Sequence, residues 1–380
     1  MKKGLIILCV MALLLSSSSC GMRTENVEST SVLETECQYN LINGSGMYFT
    51  ETPDGIYFTD GMKLYFMDER MEPQILCRKP NCDHEDANTC AGVCLDAQGL
   101  YYYKGSLYIV QFRLNEELEM SIEERTLQGD YMRTVAIVPQ SLQNIIIHRG
   151  VFYYTYYAEN ANEDAESMGS ATLASFSLED DSEIILYQHK TENDMLGHIL
   201  AYKDKVYIRE LVSDENGAVF NTLIYDTVTG NISKLNGVAT VYFSGDKLLF
   251  NKMIDDWKTV YMSNLDGTEI VATELVLEND NGLYSVFDSY VIESNMIDYT
   301  DETLSNGTFL QSFRVYKDNA FQFDYILDDI DGVDWSKKVI TNMITTDKTI
   351  FVILPDGSIS AINKSDFEQG KIDPTVVFKP

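Results

Sequence analysis

Basic residues, histidine, tryptophan and proline are all scarce in this chain. Its 380 residues include 28 Lys and Arg against 59 Asp and Glu, with 4 His, 2 Trp and 7 Pro. The net charge of −31 repels phosphate backbones and anionic lipid, which excludes nucleic acid as an expected partner. His148, His189 and His198 stand singly near predicted strand ends, without a Ser or Cys nucleophile at a recognisable elbow. The sequence therefore assigns no catalytic residue.

Long apolar runs are also missing after the first 15 residues, so no later helix is expected to span a bilayer. Residues 1–19 have the pattern of a signal peptide, in which Lys2 and Lys3 precede a short apolar core and small residues follow it. Cys20 stands where bacterial lipoproteins carry their lipid. We therefore expect a palmitate-type acyl chain on Cys20 and a protein anchored in the cell membrane, facing the extracellular side. The alternative is cleavage within residues 17–19, which would release a free secreted protein.

Residues 20–37 are rich in Ser, Thr and Glu and poor in apolar side chains, so they predict a flexible tether rather than a folded unit. Residues 38–380 behave as one repetitive domain. A turn residue followed by an apolar and aromatic strand recurs along the chain at spacings of about 42 to 60 residues. These strands open at Ile56, Leu107, Val151, Val206, Leu248, Tyr290 and Ile350.

A repeat of this length built only from strands is typical of propeller blades. The sequence therefore predicts an all-β fold, a β-propeller of seven blades, each of four antiparallel strands; six or eight blades also fit the length. Residues 375–378 are expected to form the outermost strand of the last blade, and residues 39–42 to pair beside it and latch the ring.

The longest loops join the second strand of a blade to the third. They comprise residues 113–120, 159–170, 214–217, 255–257 and 296–307. In a four-stranded meander these loops emerge on the same face as the blade-to-blade crossovers, so one face is elaborated and is the expected ligand face. It is also acidic, which either attracts cations or simply reflects solvated loops. Trp257 and Trp335 lie in segments of this face and are candidate ligand-binding residues, with burial between blades as the alternative.

A concentrated set of metal-type ligands lies between the first and second blades. It comprises Cys77, Cys82, His84, Cys90 and Cys94. Thiolate and imidazole ligands at this density suit a structural zinc ion. The competing interpretation is disulfide bonding, which an exported location favours. After removal of Cys9 and acylation of Cys20, five cysteines remain, an odd number that leaves at least one thiol unpaired or paired between molecules.

Residues 76–84 read Leu-Cys-Arg-Lys-Pro-Asn-Cys-Asp-His, and residues 261–267 repeat a strand-and-turn pattern. On these features the chain resembles uncharacterised β-propeller lipoproteins of Gram-positive anaerobes (Clostridia). Those proteins carry a Leu-Cys-x-x-Pro-x-Cys-x-His segment and a further Cys after their first blade. The resemblance implies a propeller fold, a lipid anchor and an extracellular location. It implies no established activity.

The favoured function is a binding module that recognises an unknown protein, peptide or glycan and makes no membrane contact except through its anchor. Propellers also serve as enzyme scaffolds, so the alternative is an extracellular hydrolase or lyase acting on carbohydrate or peptide. An enzyme should bring acids or a histidine together along the central channel. A binding module should instead present aromatic and polar groups on the elaborated face.

Overall fold

The computed structural model of the protein describes most of the region after residue 46, together with a short strand at residues 37–39. The described ranges are 37–39, 47–87, 89–113, 119–158, 169–189, 194–214, 217–253, 256–278, 283–297, 310–326, 342–346, 348–353 and 357–380. Cys20 and Trp335 lie outside them. Within these ranges, no helix is both long and apolar enough to cross a membrane.

The described chain folds into consecutive four-stranded antiparallel sheets, which confirms the seven-bladed propeller. A short strand, β1 (Cys37–Tyr39), comes before the first blade. Blade 1 contains β2 (Tyr48–Thr52), β3 (Gly55–Thr59), β4 (Leu64–Met67) and β5 (Gln74–Ile75). Blade 2 contains β6 (Gly99–Tyr103), β7 (Ser106–Phe112), β8 (Met120–Arg125) and β9 (Tyr131–Val138). Blade 3 contains β10 (Leu142–His148), β11 (Val151–Ala158), β12 (Ser170–Ser177) and β13 (Glu183–Gln188).

The remaining four blades follow the same order from the channel outward. Blade 4 contains β14 (Met195–Tyr202), β15 (Lys205–Asp214), β16 (Gly217–Asp226) and β17 (Ile232–Asn236). Blade 5 contains β18 (Tyr242–Ser244), β19 (Lys247–Lys252), β20 (Asp256–Asn264) and β21 (Val271–Val276). Blade 6 contains β22 (Leu283–Phe287), β23 (Tyr290–Ile297), β24 (Leu310–Lys317) and β25 (Ala320–Ile326). Blade 7 contains β26 (Asn342–Thr345), β27 (Thr349–Ile353), β28 (Ile359–Asn363) and β29 (Thr375–Phe378), with a short helix α1 (Lys364–Phe367) after β28.

The turn between the first two strands of a blade shows why these residues form hairpins. Lys104 and Gly105 both have positive φ (47° and 86°), and Arg149 and Gly150 repeat this geometry (52° and 80°). Two successive positive φ values define the turn whose twist matches that of paired strands. The strands on either side are buried on both faces. Ile145, for example, is fully inaccessible, as expected for an inner strand packed between neighbouring blades.

The ring closes by side-chain packing, because every strand of blade 7 comes from the C-terminal part of the chain. The predicted outermost strand, residues 375–378, is confirmed as β29. Apolar residues of blades 1 and 7 share one core cluster. In it, Phe49 lies 6.2 Å from Phe351 between ring centroids, and Phe58 lies 5.2 Å from Phe378. Among the described residues, the seam between the first and last blades is therefore an apolar interface, and no described strand is shared between the two blades.

The predicted latch by the N-terminal strand is wrong for the residue that the structure describes. Tyr39 pairs with Leu200, so β1 lies antiparallel beside β14, the innermost strand of blade 4. Residues 40–42 lie outside the described ranges. The physical reason is that the inner edge of β14 carries backbone N–H and C=O groups with no neighbouring strand of its own blade, and these groups accept a further strand.

Candidate metal centre

The Cys and His segment is held against the first blade by backbone hydrogen bonds. The Leu64 N–H donates to the Gly92 carbonyl (3.0 Å), and the Cys94 N–H donates to the Met62 carbonyl (2.7 Å). From blade 2, Arg125 Nη1 donates to the Ala91 carbonyl (3.0 Å). The segment after β5 therefore lies against the start of β4 and bridges the first two blades, and both of its ends are anchored.

Four side chains of this segment converge on one point. Cys77, Cys82, His84 and Cys90 each offer a ligand atom, and these atoms all lie within 4.8 Å of one another. His84 Nδ1 is 3.3 Å from Cys90 Sγ. In a tetrahedral zinc site, bond lengths of about 2.0 to 2.3 Å place ligand atoms about 3.3 to 3.8 Å apart. The group therefore has the composition and nearly the dimensions of a Cys₃His metal site.

Local backbone geometry makes this convergence feasible. Asn81 and His84 both adopt left-handed conformations (φ 58° and 55°), which turn the chain sharply on either side of Cys82. Gly92 is required for space, since a Cβ there would lie 2.6 Å from Ile75 Cγ2. The loop thus folds back on itself and returns Cys90 to the ligands that precede it.

The electrostatics of the group favour a cation. Burial raises the pKa of the Cys90 thiol to about 12, while a backbone hydrogen bond from Lys79 lowers the pKa of Cys77. Cys90 is therefore a neutral thiol at pH 7 without a metal, and a bound divalent ion would supply the positive charge that deprotonates its thiol ligands. No disulfide joins Cys77, Cys82, Cys90 and Cys94 to one another in the structure.

Cys94, the fifth residue of the predicted set, lies apart from these four. Its side chain is inaccessible and belongs to the apolar cluster that includes Tyr48, Leu64 and Leu100. Burial raises the pKa of its thiol to about 11. The structure therefore reduces the predicted five-residue site to a Cys₃His group and makes Cys94 a core residue.

Of the two tryptophans predicted to bind ligand, the structure describes Trp257 and not Trp335. Trp257 lies at the start of β20, where its side chain is half-buried and its carbonyl accepts a hydrogen bond from Asn251 Nδ2 (2.7 Å). Trp335 lies outside the described residues. A ligand-binding role for either indole stays a prediction.

Sequence reasoning did not anticipate a buried polar junction between blades 3 and 4. His189 Nδ1 lies 3.2 Å from Asp194 Oδ2, and its Nε2 lies 3.4 Å from Glu210 Oε1. Glu210 also accepts from Asn221 Nδ2 (2.9 Å) and pairs with Lys234 (2.6 Å). Burial lowers the pKa of His189 against the opposing influence of both carboxylates. The junction ties the exit of one blade to the strands of the next, and no local sequence signal links these positions.

His198, predicted near a strand end, instead lies inside β14, at a bulge in this innermost strand of blade 4. Its φ of 31° lies in the left-handed region. Burial and the nearby positive charge of Arg209 lower its pKa to about 4. The imidazole is therefore neutral at pH 7 in the folded protein, whereas in the unfolded chain it titrates near pH 6.5.

This lowered pKa predicts that the folded protein loses stability as the pH falls. Because the folded pKa is the lower one, the contribution of His198 is complete above pH 6.5 and is lost as the pH falls towards 4. Lowering the pH from 7.5 to 5 should therefore reduce the free energy of unfolding by about 2 kcal/mol through His198 alone. The variant His198→Asn, whose new residue tolerates a left-handed backbone, should lose less stability over the same pH interval. Denaturant unfolding at both pH values checks this, and an equal loss in the two proteins would contradict it.

Comparisons with known proteins place few constraints on function. No protein-family model matches the chain, and no curated protein matches it either. Among solved structures, the computationally designed Ika8 protein is similar over 85% of this chain and 99% of its own, with 9% identity and a TM-score of 0.45. The β-propeller domain of the Trilobed protease from Pyrococcus furiosus, described as having an open velcro topology, is 13% identical (TM-score 0.47; 74% of this chain, 84% of that one). TolB from Acinetobacter baumannii is 11% identical (TM-score 0.37; 78% and 65%).

Proposed function

We propose that this protein is a membrane-anchored, extracytoplasmic binding module whose propeller presents a ligand face and carries a structural zinc ion in the crossover between its first two blades. The observation that carries this proposal is the Cys₃His group. Four protein ligands fill a tetrahedral coordination shell and leave no open position for a reactive water. The site therefore fits a role in holding the fold rather than in catalysis.

The four ligands fit zinc in type and number, and their ligand atoms, within 4.8 Å of one another, come near the spacing of a tetrahedral site. When bound, zinc would neutralise the thiolates and cross-link the loop. Cys77 follows the last strand of blade 1, and Cys90 precedes the residues that hydrogen-bond to β4. A metal held by both would fix the crossover to its own blade. That supports the propeller as a rigid platform, which is what recognition through surface loops requires.

A binding module and an enzyme differ in what happens to the ligand. We expect the purified protein, screened against extracellular oligosaccharides and peptides, to show saturable shifts in melting temperature with the bound compound recovered chemically unchanged. Mass spectrometry of the compounds after long incubation distinguishes an unchanged ligand from a converted substrate. Conversion of a bound compound to product at an enzymatic rate would overturn the proposal in favour of a hydrolase or lyase.

The anchor makes a separate prediction. Cys20→Ala should move the protein from the membrane fraction to the culture medium, because each buried methylene of a lipid chain contributes about 0.8 kcal/mol to membrane binding. The matched control is Cys37→Ala, which removes the next cysteine along the chain and should leave the protein in the membrane fraction. Fractionation followed by immunoblotting measures both. Equal release of the wild type and the Cys20 variant would exclude the lipid anchor.

A further inference from the structure

The short strand β1 fixes the end of the central channel at which the N-terminal part of the chain leaves the propeller. Cys37 pairs with Tyr202 and Tyr39 pairs with Leu200, so β1 runs antiparallel to β14. β14 ends at Tyr202 and is followed by the hairpin turn to β15, which begins at Lys205. Cys37 therefore lies at the end of β14 that leads into this turn, and the chain before Cys37 continues from that end.

The turns of the blades distinguish the two faces of the ring. We call the face that carries the turns between first and second strands, and between third and fourth strands, the flat face. The turns at residues 104–105 and 149–150 belong to it and contain only two residues each. The elaborated face carries the connections between second and third strands, among them residues 159–169 and 298–309. The chain before Cys37 and these long connections therefore belong to opposite faces.

Charge also distinguishes the two faces. On the flat face, basic and acidic residues of successive turns pair across blades: Arg149 with Asp204, and Lys203 with Asp246. On the elaborated face, residues 159–169 contain four acidic and no basic residues, and residues 298–309 contain three acidic and no basic residues. An anionic bilayer surface repels such segments. Electrostatics therefore favours the flat face as the one turned toward a membrane.

The length of the tether limits how far the ring can turn over. Cys20 and Cys37 are 17 residues apart, and a flexible segment of that length has a root-mean-square end-to-end distance of about 23 Å. To bring the elaborated face to the membrane, the tether would have to pass four strands outward and then run along a blade whose inner strand has 8 residues, a path of about 45 Å. This path is about twice the typical distance, so the tether opposes that orientation.

We propose that β1 orients the anchored propeller with its flat face toward the bilayer and its elaborated face toward the outside. The partner of the flat face is an anionic headgroup surface, which it faces without a lipid-binding site of its own. The proposal rests on the lipid anchor of the proposed function, and it adds the direction from which a ligand reaches the module.

Energy transfer from the protein to the bilayer measures this orientation. The acylated full chain, purified from membranes, is inserted into the outer leaflet of vesicles of phosphatidylcholine and phosphatidylglycerol that carry an acceptor dye on their headgroups. A fluorescent amino acid replaces Lys104, exposed on the flat face, or Val219, exposed near the tip of the β15–β16 hairpin on the elaborated face. We expect transfer from position 104 to be at least about twofold more efficient than transfer from position 219.

A variant of β1 tests the cause of the orientation. Consecutive residues of a strand direct their N–H groups to opposite sides, so the double variant Gln38→Pro, Tyr39→Pro removes the donor that faces β14. All four strands of blade 4 remain, so the melting temperature should change little. The difference in transfer should disappear while Cys20 still holds the protein on the vesicles. The matched control is Ser29→Pro, Thr30→Pro, which changes the tether and leaves β1 intact, and it should keep the difference.

The outcomes separate this proposal from the proposed function. More efficient transfer from position 104, lost in the β1 variant and kept in the control, supports it. Equal transfer from both positions of the bound wild type, or more efficient transfer from position 219, overturns it and leaves the anchor and the binding function standing. A difference that persists in the β1 variant also overturns it. If the wild type does not stay on the vesicles, the lipid anchor and this orientation fail together.

Discussion

The purified, reduced protein should carry about one zinc ion per chain, and chelation should remove the ion and lower the melting temperature. Ligands that bind only the folded state stabilise it by mass action, and at a free zinc concentration about 100 times Kd this contributes about 2.7 kcal/mol. The ligating loop is rich in turn residues and its own apolar contacts are few, so it depends on the metal more than the blades do. Elemental analysis and calorimetry before and after chelation measure the two effects.

Point variants assign the ion to its ligands. His84→Ala should remove most of the zinc, because it deletes the only nitrogen ligand of the group. Cys94→Ala is the matched control. It also removes a nearby cysteine and will reduce stability through the core, but the zinc content should stay near one per chain. A metal-free wild type with few free thiols after unfolding without reductant would show that the cysteines are paired and would rule out the zinc site.

The second large effect is expected at the seam between blades 1 and 7. Phe351 is fully buried and packs on Phe49 across that seam. Phe351→Ala should destabilise the protein by about 3 to 5 kcal/mol, the range for deleting a buried aromatic ring. The matched control is Phe152→Ala. Phe152 is equally buried and packs on Tyr101 and Tyr108 between blades 2 and 3, which follow each other directly in the chain.

Both substitutions should lower overall stability by similar amounts, and hydrogen exchange should distinguish them. Because none of the strands that the structure describes is shared between blades 1 and 7, loss of Phe351 should increase exchange in β2–β4 and β26–β29 well before the other blades. The Phe152 variant should leave that seam protected. Uniform exchange throughout the ring in the Phe351 variant would mean that the seam does not open as a separate unit.

Much of the fold could be predicted from the sequence because the information is local. Apolar and aromatic runs of four to eight residues, each preceded by a turn residue, specify strands and hairpins over short stretches of chain. The strand openings predicted at Leu107, Val206 and Leu248 lie within the first residues of β7, β15 and β19. The seven repeats then imply the ring, since a lone four-stranded sheet leaves its apolar faces open to water.

The Cys and His segment was equally visible, since its ligands fall within a short stretch of chain between two predicted blades. The sequence did not predict which four of these five residues come together. Cys90 turns back towards Cys77 because Asn81 and His84 adopt left-handed conformations and Gly92 allows close packing, whereas Cys94 is drawn into the core beside Leu64. The spacing of the cysteines alone does not separate these two outcomes.

Tertiary structure alone decided the features that depend on contacts between blades. Tyr39 lies beside Leu200, and His189 lies between Asp194 and Glu210. The alternation of residues along a strand predicts which side chains face the adjacent blade. It does not predict which residue of that blade they contact. That depends on the angle at which successive sheets pack and on bulges such as the one at Gly197. The sequence by itself therefore determined the blades and the candidate metal ligands, and blade-to-blade packing decided how the ring closes and which distant polar side chains meet, as His189, Asp194 and Glu210 do.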